Sequence, residues 1–470
     1  PGTPFALIVR LFEFAAAAAK AAAGKELRRL LEDRALGECP HEMQEGEGEE
    51  DPEQVLVIRA PSKTDLKGWL SQLPQIVSAL SESFIVRSIH LPARLVRSAA
   101  RPARAASSKM KPRLPERHAK LRYPVVGVID GGVADVLDEW VVYRDDFIRK
   151  EDGSPKHGTG IGSLLVAGQT LNPTGICSEL DGCDLVDLRL MPKDTRQGQP
   201  DLIRQYYGEY PAMFKKLEEV VAKAKQETGA RIFNFSHNFA TPVSASIPYC
   251  DETKRLDAIA RKHDVLFVIS AGNLATGSHR EKWPEDPVKA LSLLTFAQED
   301  RIATPAESLA NVSVTAVNPP GVSGYVAGGV AEYARRGPSP YGGLKPDVAH
   351  YGGCVGSPSG LLAIDSSGNL DHVYGTSYAA PLVAKTLARY LHSIDGDVSR
   401  ELLIALLVHH AKVPDVLLQS PISDHAKDLV GFGIPLPADQ ALAGVASSAT
   451  LVFESHIVKG KRLEFSFAWP

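Results

Sequence analysis

The sequence has few cysteines, no dominant charge and no long hydrophobic run. Five cysteines among 470 residues are too few for a disulfide scaffold. Lysine and arginine number 52 against 56 aspartates and glutamates, and the formal net charge of −4 argues against a chain built mainly to bind nucleic acid. The hydrophobic share of 44% is that of a globular protein, and the length allows about three domains, or one large domain with appendages.

Membrane-spanning and targeting segments are not evident in the sequence. The longest uncharged stretch, residues 308–331, contains Pro319 and Pro320, so it cannot form a continuous lipid-facing helix. Near the N-terminus, Arg10 interrupts the apolar run Phe5–Val9, which is not the pattern of a signal peptide. We therefore expect no membrane association, a cytoplasmic location and reduced thiols.

The first part of the chain predicts a small α+β region over residues 1–93. An alanine-rich helix is expected over residues 12–35, and Val55–Ile58, Asp65–Ser78 and Phe84–Ile89 read as strand, helix and strand. Residues 94–122 differ, because ten basic side chains are accompanied by one acid, Glu116. No aromatic residue is interleaved for base stacking, so a solvated basic linker is favoured over an arm that binds nucleic acid.

From residue 123 the pattern changes to buried strands that alternate with helices. Strands without polar alternation, separated by helices, imply a parallel sheet covered on both faces, which is an α/β fold. The predicted strands are Val125–Ile129, Leu185–Met191, Arg231–Phe235, Val265–Ser270 and Val312–Val317, and the predicted helices are Tyr210–Thr228 and Asp251–His263. A domain is expected over residues 123–445, followed over 446–470 by a C-terminal β-hairpin, which could begin a truncated β domain.

Four glycine-rich segments carry the residues that could perform chemistry. They place Asp130 after a buried strand, His157 before small residues, Asn273 after another buried strand, and Ser377 at the start of a helix. Each has an ordinary structural explanation when taken alone: an Asp in a turn, a structural His, an Asn in a left-handed turn, and a helix-capping Ser.

Taken together, these residues are the parts of a nucleophilic serine hydrolase. Asp130 would hold His157 in one tautomer, and His157 would accept the proton of Ser377 and pass it to the leaving amine. Asn273 and the main-chain N–H of Ser377 would stabilise the oxyanion.

The four segments resemble those of the subtilisin-like serine peptidases, or subtilases, in which Asp, His, oxyanion Asn and Ser follow in this order. The resemblance covers residues 123–445, and the motif Gly-Thr-Ser-Tyr-Ala-Ala-Pro around Ser377 is its most specific part. Flanking stretches that also match are Ile232–Ser236, Pro305–Val317, Gly343–Val348 and Gly431–Gly433.

The resemblance implies an endopeptidase that cleaves polypeptides through an acyl-enzyme, with its site at the carboxyl ends of a parallel sheet. The residues that it assigns to substrate binding are Ser236, His237, Asn238, Ala271 and Gly272. The alternative is a catalytically silent protein that binds peptides. A nucleotide-binding Rossmann domain is a third possibility, but the G-x-G-x-x-G fingerprint is missing.

This sequence departs from the family pattern at several positions near the expected site. Gly131 stands where the family usually has Ser or Thr, Gly160 replaces a bulkier residue, and Leu382 stands where His is common. His237 and Asn238 replace the usual Leu-Gly at the rim of the primary specificity pocket. These last two changes put the family preference for apolar P1 residues in doubt.

Cofactors, partners and processing follow from the resemblance alone. No cofactor is expected; calcium sites are common in the family, but no ligand cluster in the sequence identifies one. Cys177 and Cys183 lack the two further ligands of a metal site, so free thiols are expected. Some intracellular relatives work with a regulatory ATPase, which makes such a partner an expectation here. The region before residue 123 is either a cleavable propeptide or a permanent N-terminal domain.

Overall fold

The chain divides into two compact units with their boundary between Arg94 and Leu95. The computed structural model describes residues 6–12, 14, 16–32, 41–45, 54–59, 66–90, 95–96, 110–193, 202–208, 210–239, 249–296, 300–339, 342–357, 360–443, 452, 455, 460–462 and 464. The predicted C-terminal hairpin and much of the predicted basic linker therefore lie outside the described residues.

The smaller unit is a four-stranded antiparallel sheet with two helices. Its strands follow the order β2-β3-β1-β4, and Val9, Leu56 and Ile76 are among the residues of its core. The α+β character agrees with the sequence, although the first two strands are not predicted by it. The elements are β1 (Ala6–Leu11), α1 (Ala17–Leu31), β2 (His41–Glu45), β3 (Gln54–Arg59), α2 (Leu66–Ser81) and β4 (Val86–His90).

The larger unit contains the remaining elements. Its strands are β5 (Leu95–Val96), β6 (Val125–Asp130), β7 (Val141–Asp145), β8 (Asp184–Arg189), β9 (Ile232–Phe235), β10 (Asn238–Phe239), β11 (Leu266–Ser270), β12 (Val312–Val317), β13 (Val348–Tyr351), β14 (Leu362–Ile364) and β15 (Leu370–His372). Its helices are α3 (Pro155–Leu171), α4 (Leu202–Tyr207), α5 (Tyr210–Thr228), α6 (Asp251–Lys262), α7 (Pro287–Phe296), α8 (Thr376–Ser393), α9 (Arg400–His409), α10 (Ala426–Val430) and α11 (Ala438–Ala441).

A seven-stranded sheet in the order β13-β12-β11-β9-β6-β8-β7 forms the centre of this unit. All six strand pairs are parallel. Every residue of β9, β11 and β12 is buried, as expected for strands that helices cover on both faces. The predicted α/β fold with a parallel sheet is confirmed.

The sheet places the ends of its central strands beside the start of α8. Strands β6, β9 and β11 are neighbours, so their carboxyl ends open on the same edge. Helix α8 contacts all three strands and also packs against α3. Among the described residues, no helix combines the length and the apolar character that crossing a membrane requires.

Candidate active site

Asp130 is the last residue of β6 and is fully buried. Its Oδ1 accepts a hydrogen bond of 2.7 Å from the main-chain N–H of Gly131. Its Oδ2 lies 2.6 Å from Nδ1 of His157 and 3.1 Å from Nε2 of His237. Burial alone would raise the pKa of Asp130, but the two histidines outweigh it and hold this pKa well below its ordinary value. Asp130 is therefore a buried carboxylate in its ionised form.

His157 lies in the first turn of α3, with its side chain 19% exposed. The small residue that follows it lets the helix approach the main chain after β6, because a Cβ at Gly158 would collide with the carbonyl oxygen of Gly132. Nδ1 of His157 faces Asp130, whereas Nε2 is buried without a hydrogen-bond partner among the described residues.

Ser377 is the second residue of α8 and is buried. Its Oγ donates a long hydrogen bond of 3.5 Å to the main-chain oxygen of Ser236, and Oγ of Ser236 donates to the carbonyl of Ser377 at 3.1 Å. The preceding Gly375, with a φ of 143°, supplies the turn into the helix. As the second residue of the helix, Ser377 has a main-chain N–H among the four that an α-helix leaves without an internal partner.

Asn273 follows β11 and faces the same helix start. Its Oδ1 accepts hydrogen bonds of 3.0 Å from both the main-chain N–H and Oγ1 of Thr376. Because a main-chain N–H can only donate, this contact identifies the atom that faces it as the amide oxygen. Nδ2 of Asn273 is therefore directed elsewhere, and it is buried without a hydrogen-bond partner among the described residues. The sequence does not single out Thr376, although it stands directly before Ser377.

The residues predicted to bind substrate lie next to Asp130, Asn273 and Ser377 in the fold, and most of their side chains are buried. Ser236, Asn238 and Ala271 are almost fully buried, and Asn238 donates to the carbonyl of Ser270 at 2.9 Å. Gly272 has a φ of 98°, where a side chain would be strained and would meet Ala303. His237 is bonded to Asp130, a contact that the sequence does not suggest. Substrate contact by these residues stays a prediction.

Strand β10, which begins at Asn238, pairs with the short strand β5. Strand β5 lies antiparallel to β10, with Val96 opposite Asn238 and Leu95 opposite Phe239. Strand β10 begins directly after His237 and two residues after Ser236, which contacts Ser377. The edge of β10 thus accepts an extended backbone next to the candidate nucleophile.

One group of side chains in the described part of the chain could hold a metal ion. The ligand atoms of Asp130, His157 and His237 all lie within 4.8 Å of one another. Their contacts of 2.6 and 3.1 Å are those of hydrogen bonds, whereas two ligands of one tetrahedral zinc ion stand about 3.3 Å apart. The arrangement therefore fits shared protons better than a shared metal.

The four described cysteines, Cys177, Cys183, Cys250 and Cys354, are buried thiols that are not joined in disulfides. The expectation that Cys177 and Cys183 are free thiols is confirmed. Burial raises the pKa of each of the four thiols to about 12, so they are protonated at neutral pH and poor nucleophiles. Among the described residues, Ser377 at the start of α8 is the better candidate for a nucleophile.

Comparison with known proteins agrees with the motifs. The model of the subtilase family matches residues 122–433. A curated relative, the uncharacterized protein y4bN of Sinorhizobium fredii, is 27% identical over 254 residues, which are 47% of this chain. The match spans 58% of the length of that relative.

Solved protease structures also match the chain. A lanthipeptide protease is 17% identical, with 68% of this chain and 86% of that one covered and a TM-score of 0.42. The epidermin leader peptide processing serine protease of Staphylococcus aureus is 12% identical, with 94% and 99% covered and a TM-score of 0.45. A cold adapted subtilisin-like serine proteinase is 18% identical, with 66% and 93% covered and a TM-score of 0.38.

Proposed function

Because the chain belongs to the subtilase family of serine endopeptidases, we propose that it hydrolyses peptide bonds through an acyl-enzyme on Ser377. The observation that carries the proposal is that the two chain neighbours of Ser377 contact two sets of buried polar groups. Tyr378 lies against the ring of His157, with centroids 5.4 Å apart, and Thr376 donates to Asn273. On one side, Asp130 and His157 are joined by a hydrogen bond of 2.6 Å. On the other, Asn273 is anchored through its oxygen while its Nδ2 has no partner among the described residues.

Proton transfer in this proposal runs through His157. Asp130 accepts from Nδ1, so Nε2 is left without a proton and can accept that of Ser377. The Ser377 oxygen then bonds to the carbonyl carbon of the substrate, the carbon–nitrogen bond breaks, and His157 delivers the proton to the leaving amine. Water repeats the same steps on the acyl-enzyme and releases the acid. Asp130 stays ionised throughout and stabilises the imidazolium that forms.

The reaction also requires that the negative charge developing on the carbonyl oxygen of the substrate is stabilised. Nδ2 of Asn273 and the main-chain N–H of Ser377 are donors that can meet an oxyanion between them. Thr376 fixes the direction of the Asn273 amide through two hydrogen bonds before any substrate binds. Such donors act most strongly where water is excluded, and Asn273 Nδ2 is buried.

The substrate of this activity is an extended polypeptide. Strand β10 accepts an antiparallel partner next to Ser236 and His237, and strand addition is a common way to bind peptides without regard to their sequence. We expect a peptide to take the place of β5 along this edge, with its scissile carbonyl at Ser377.

A fluorophosphonate probe tests the nucleophile directly, since it reacts with activated serines. The wild-type protein should be labelled, and Ser377→Ala should abolish the labelling. Ser399→Ala is the matched control, because Ser399 also stands at a helix start, where its Oγ caps α9. This control should be labelled like the wild type.

Two results would contradict the proposal. Labelling that persists in Ser377→Ala would place the nucleophile elsewhere. A folded wild-type protein that stays unlabelled, yet binds extended peptides without cleaving them, would favour the catalytically silent alternative.

A further inference from the structure

His237 is a second histidine on the Asp130 carboxylate. Its side chain is 1% exposed, and its Nε2 lies 3.1 Å from the same Oδ2 that contacts His157. An ionised carboxylate can only accept, so Nε2 of His237 carries the proton of this contact. Oδ2 thus receives two N–H donors, and Oδ1 receives the main-chain N–H of Gly131.

We propose that His237 is a positioning residue, which holds the Asp130 carboxylate in the orientation that His157 needs to act as a base. The inference rests on the proposed function and goes beyond it, since His237 contacts no reacting atom in the proposed reaction. With one donor on Oδ1 and a second on Oδ2, the carboxylate plane cannot rotate about its Cβ–Cγ bond without losing a hydrogen bond. The free lone pair of Oδ2 then points at Nδ1 of His157.

The register of the sheet explains how His237 reaches the carboxylate. Strands β6 and β9 are parallel neighbours, with Ile129 opposite Phe235. Asp130 is the residue after Ile129, and His237 stands two residues after Phe235, so both lie where the two strands end. The ring of Phe235 packs edge-on against that of His237, with centroids 6.2 Å apart.

The residue next to Asp130 cannot supply this donor from a side chain. A Cβ on Gly131 would lie 2.8 Å from both the main-chain nitrogen and the main-chain oxygen of Ser154, which are closer than real Cβ atoms come. The loop after β6 therefore excludes a hydroxyl at position 131. A donor to Oδ2 has to come from another element, and among the described residues His237 occupies that place.

Ring contacts hold His157 on two sides. Its ring lies edge-on to His237, with centroids 5.9 Å apart, and to Tyr378, with centroids 5.4 Å apart. Gly160 leaves the space that Tyr378 fills, because a Cβ there would lie 3.1 Å from Cε1 of Tyr378. His237 therefore fixes the base in two ways, through the carboxylate and through its own ring.

Three substitutions of His237 distinguish its hydrogen bond to Asp130 from the packing of its side chain. In His237→Gln the amide nitrogen can occupy the place of Nε2 and donate to Asp130. In His237→Asn the shorter side chain places its nitrogen near the position of Nδ1 and cannot reach. His237→Leu removes every donor. His263→Leu is the matched control, because Nε2 of His263 bonds to Glu218 at 2.9 Å outside the site.

The measurement is the rate of fluorophosphonate labelling as a function of probe concentration, which yields kinact and KI separately. His237→Leu and His237→Asn should lower kinact about ten- to a hundredfold, the scale of a lost hydrogen bond to a charged group. KI should change by less than about twofold, because the side chain of His237 is only 1% exposed and the substitutions leave its main chain in place. His237→Gln should stay within about threefold of the wild type, and His263→Leu should match it.

Each outcome decides the question, and thermal unfolding shows which variants are folded. Equal values of kinact in folded His237→Leu and wild type would overturn the proposal. If His237→Leu does not fold, equal losses in His237→Gln and His237→Asn would overturn it, because packing alone would then explain them. A wild-type protein that is not labelled at all would refute the proposed function itself, and this inference with it.

Discussion

The two halves of the candidate site differ in how completely their buried polar atoms are hydrogen-bonded. On the acid–base side, each oxygen of the Asp130 carboxylate accepts hydrogen bonds, which come from Gly131, His157 and His237. On the oxyanion side, Nδ2 of Asn273 is buried without a partner among the described residues, although its oxygen accepts two hydrogen bonds from Thr376.

We interpret the hydrogen-bonded atoms as those that fix the geometry of the site, and the unpartnered buried atoms as those that would bind the substrate. A buried donor without a partner costs about 1–3 kcal/mol, so a fold retains one only where something else compensates. In the proposed function, the compensation at Asn273 is a substrate oxygen that gains charge during the reaction. Nε2 of His157 is also buried without a partner among the described residues. In the proposed function it is the acceptor for the proton of Ser377.

The largest loss of activity is expected from a substitution of Asp130, at the centre of the fully hydrogen-bonded acid–base side. Asp130→Asn keeps the shape of the side chain but can present an N–H to His157, which favours the wrong tautomer of that ring. We expect kcat to fall about 10⁴-fold, the loss that this change causes in serine proteases. Peptide hydrolysis by the purified variant measures it, with thermal unfolding as the check on folding.

Asp257→Asn serves as its control. Asp257 is equally buried and accepts hydrogen bonds from Ser308, Leu309 and Asn311, but it lies on α6, outside the site. A folded Asp257→Asn protein should keep its kcat. Should Asp130→Asn retain more than about a tenth of wild-type kcat, the assignment of Asp130 would be wrong.

A smaller loss is expected on the oxyanion side. Asn273→Ala removes the Nδ2 donor, and we expect kcat to fall about 10²–10³-fold with little change in KM. This is the loss that removal of one oxyanion-hole donor causes in this family. Steady-state hydrolysis of a peptide that the wild type cleaves measures both constants.

Thr376→Val sharpens the same prediction. It removes Oγ1, which donates to Oδ1 of Asn273, but leaves the main-chain N–H of residue 376 in place. The Asn273 amide then keeps one of its two anchors, so the loss should be smaller than in Asn273→Ala. A loss as large as in Asn273→Ala would mean that the hydroxyl matters beyond orienting the amide.

The sequence predicts the parts of the site better than the contacts between them. The parallel sheet follows from buried apolar runs such as Val125–Ile129, and the four glycine-rich segments identify Asp130, His157, Asn273 and Ser377. The contact of His237 with Asp130 joins residues 107 positions apart, and only the register of β6 and β9 brings them together.

The missed strands have local causes. Strand β1 contains Arg10, which breaks an apolar run in the sequence but is 7% exposed in the fold. Strand β7 lies at the edge of the seven-stranded sheet and is half-buried, so it has no continuous apolar pattern. Both strands owe their place to tertiary pairing rather than to their own composition.

The smallest effect concerns a buried histidine that, unlike His237, has no carboxylate partner among the described residues. His350 on β13 is 6% exposed, and its Nδ1 accepts from the main-chain N–H of Tyr351 at 2.8 Å. Burial lowers the pKa of His350 from 6.5 to about 4. The folded state therefore binds this proton less readily than the unfolded state, and the stability it contributes is present above pH 6.5 and lost as the pH falls toward 4.

Between pH 7.5 and pH 5 this group should cost about 2 kcal/mol of unfolding free energy. His350→Asn keeps an acceptor near the place of Nδ1 but cannot titrate, so it should lose about 2 kcal/mol less than its parent over the same range. Urea unfolding at both pH values measures this difference, with both proteins carrying Ser377→Ala to prevent self-digestion. Because all other titrating groups are shared, they cancel in the comparison. Equal losses in the two proteins would show that His350 binds its proton as readily in the fold as in the unfolded chain, and that burial without a carboxylate does not lower the pKa of a histidine in this sheet.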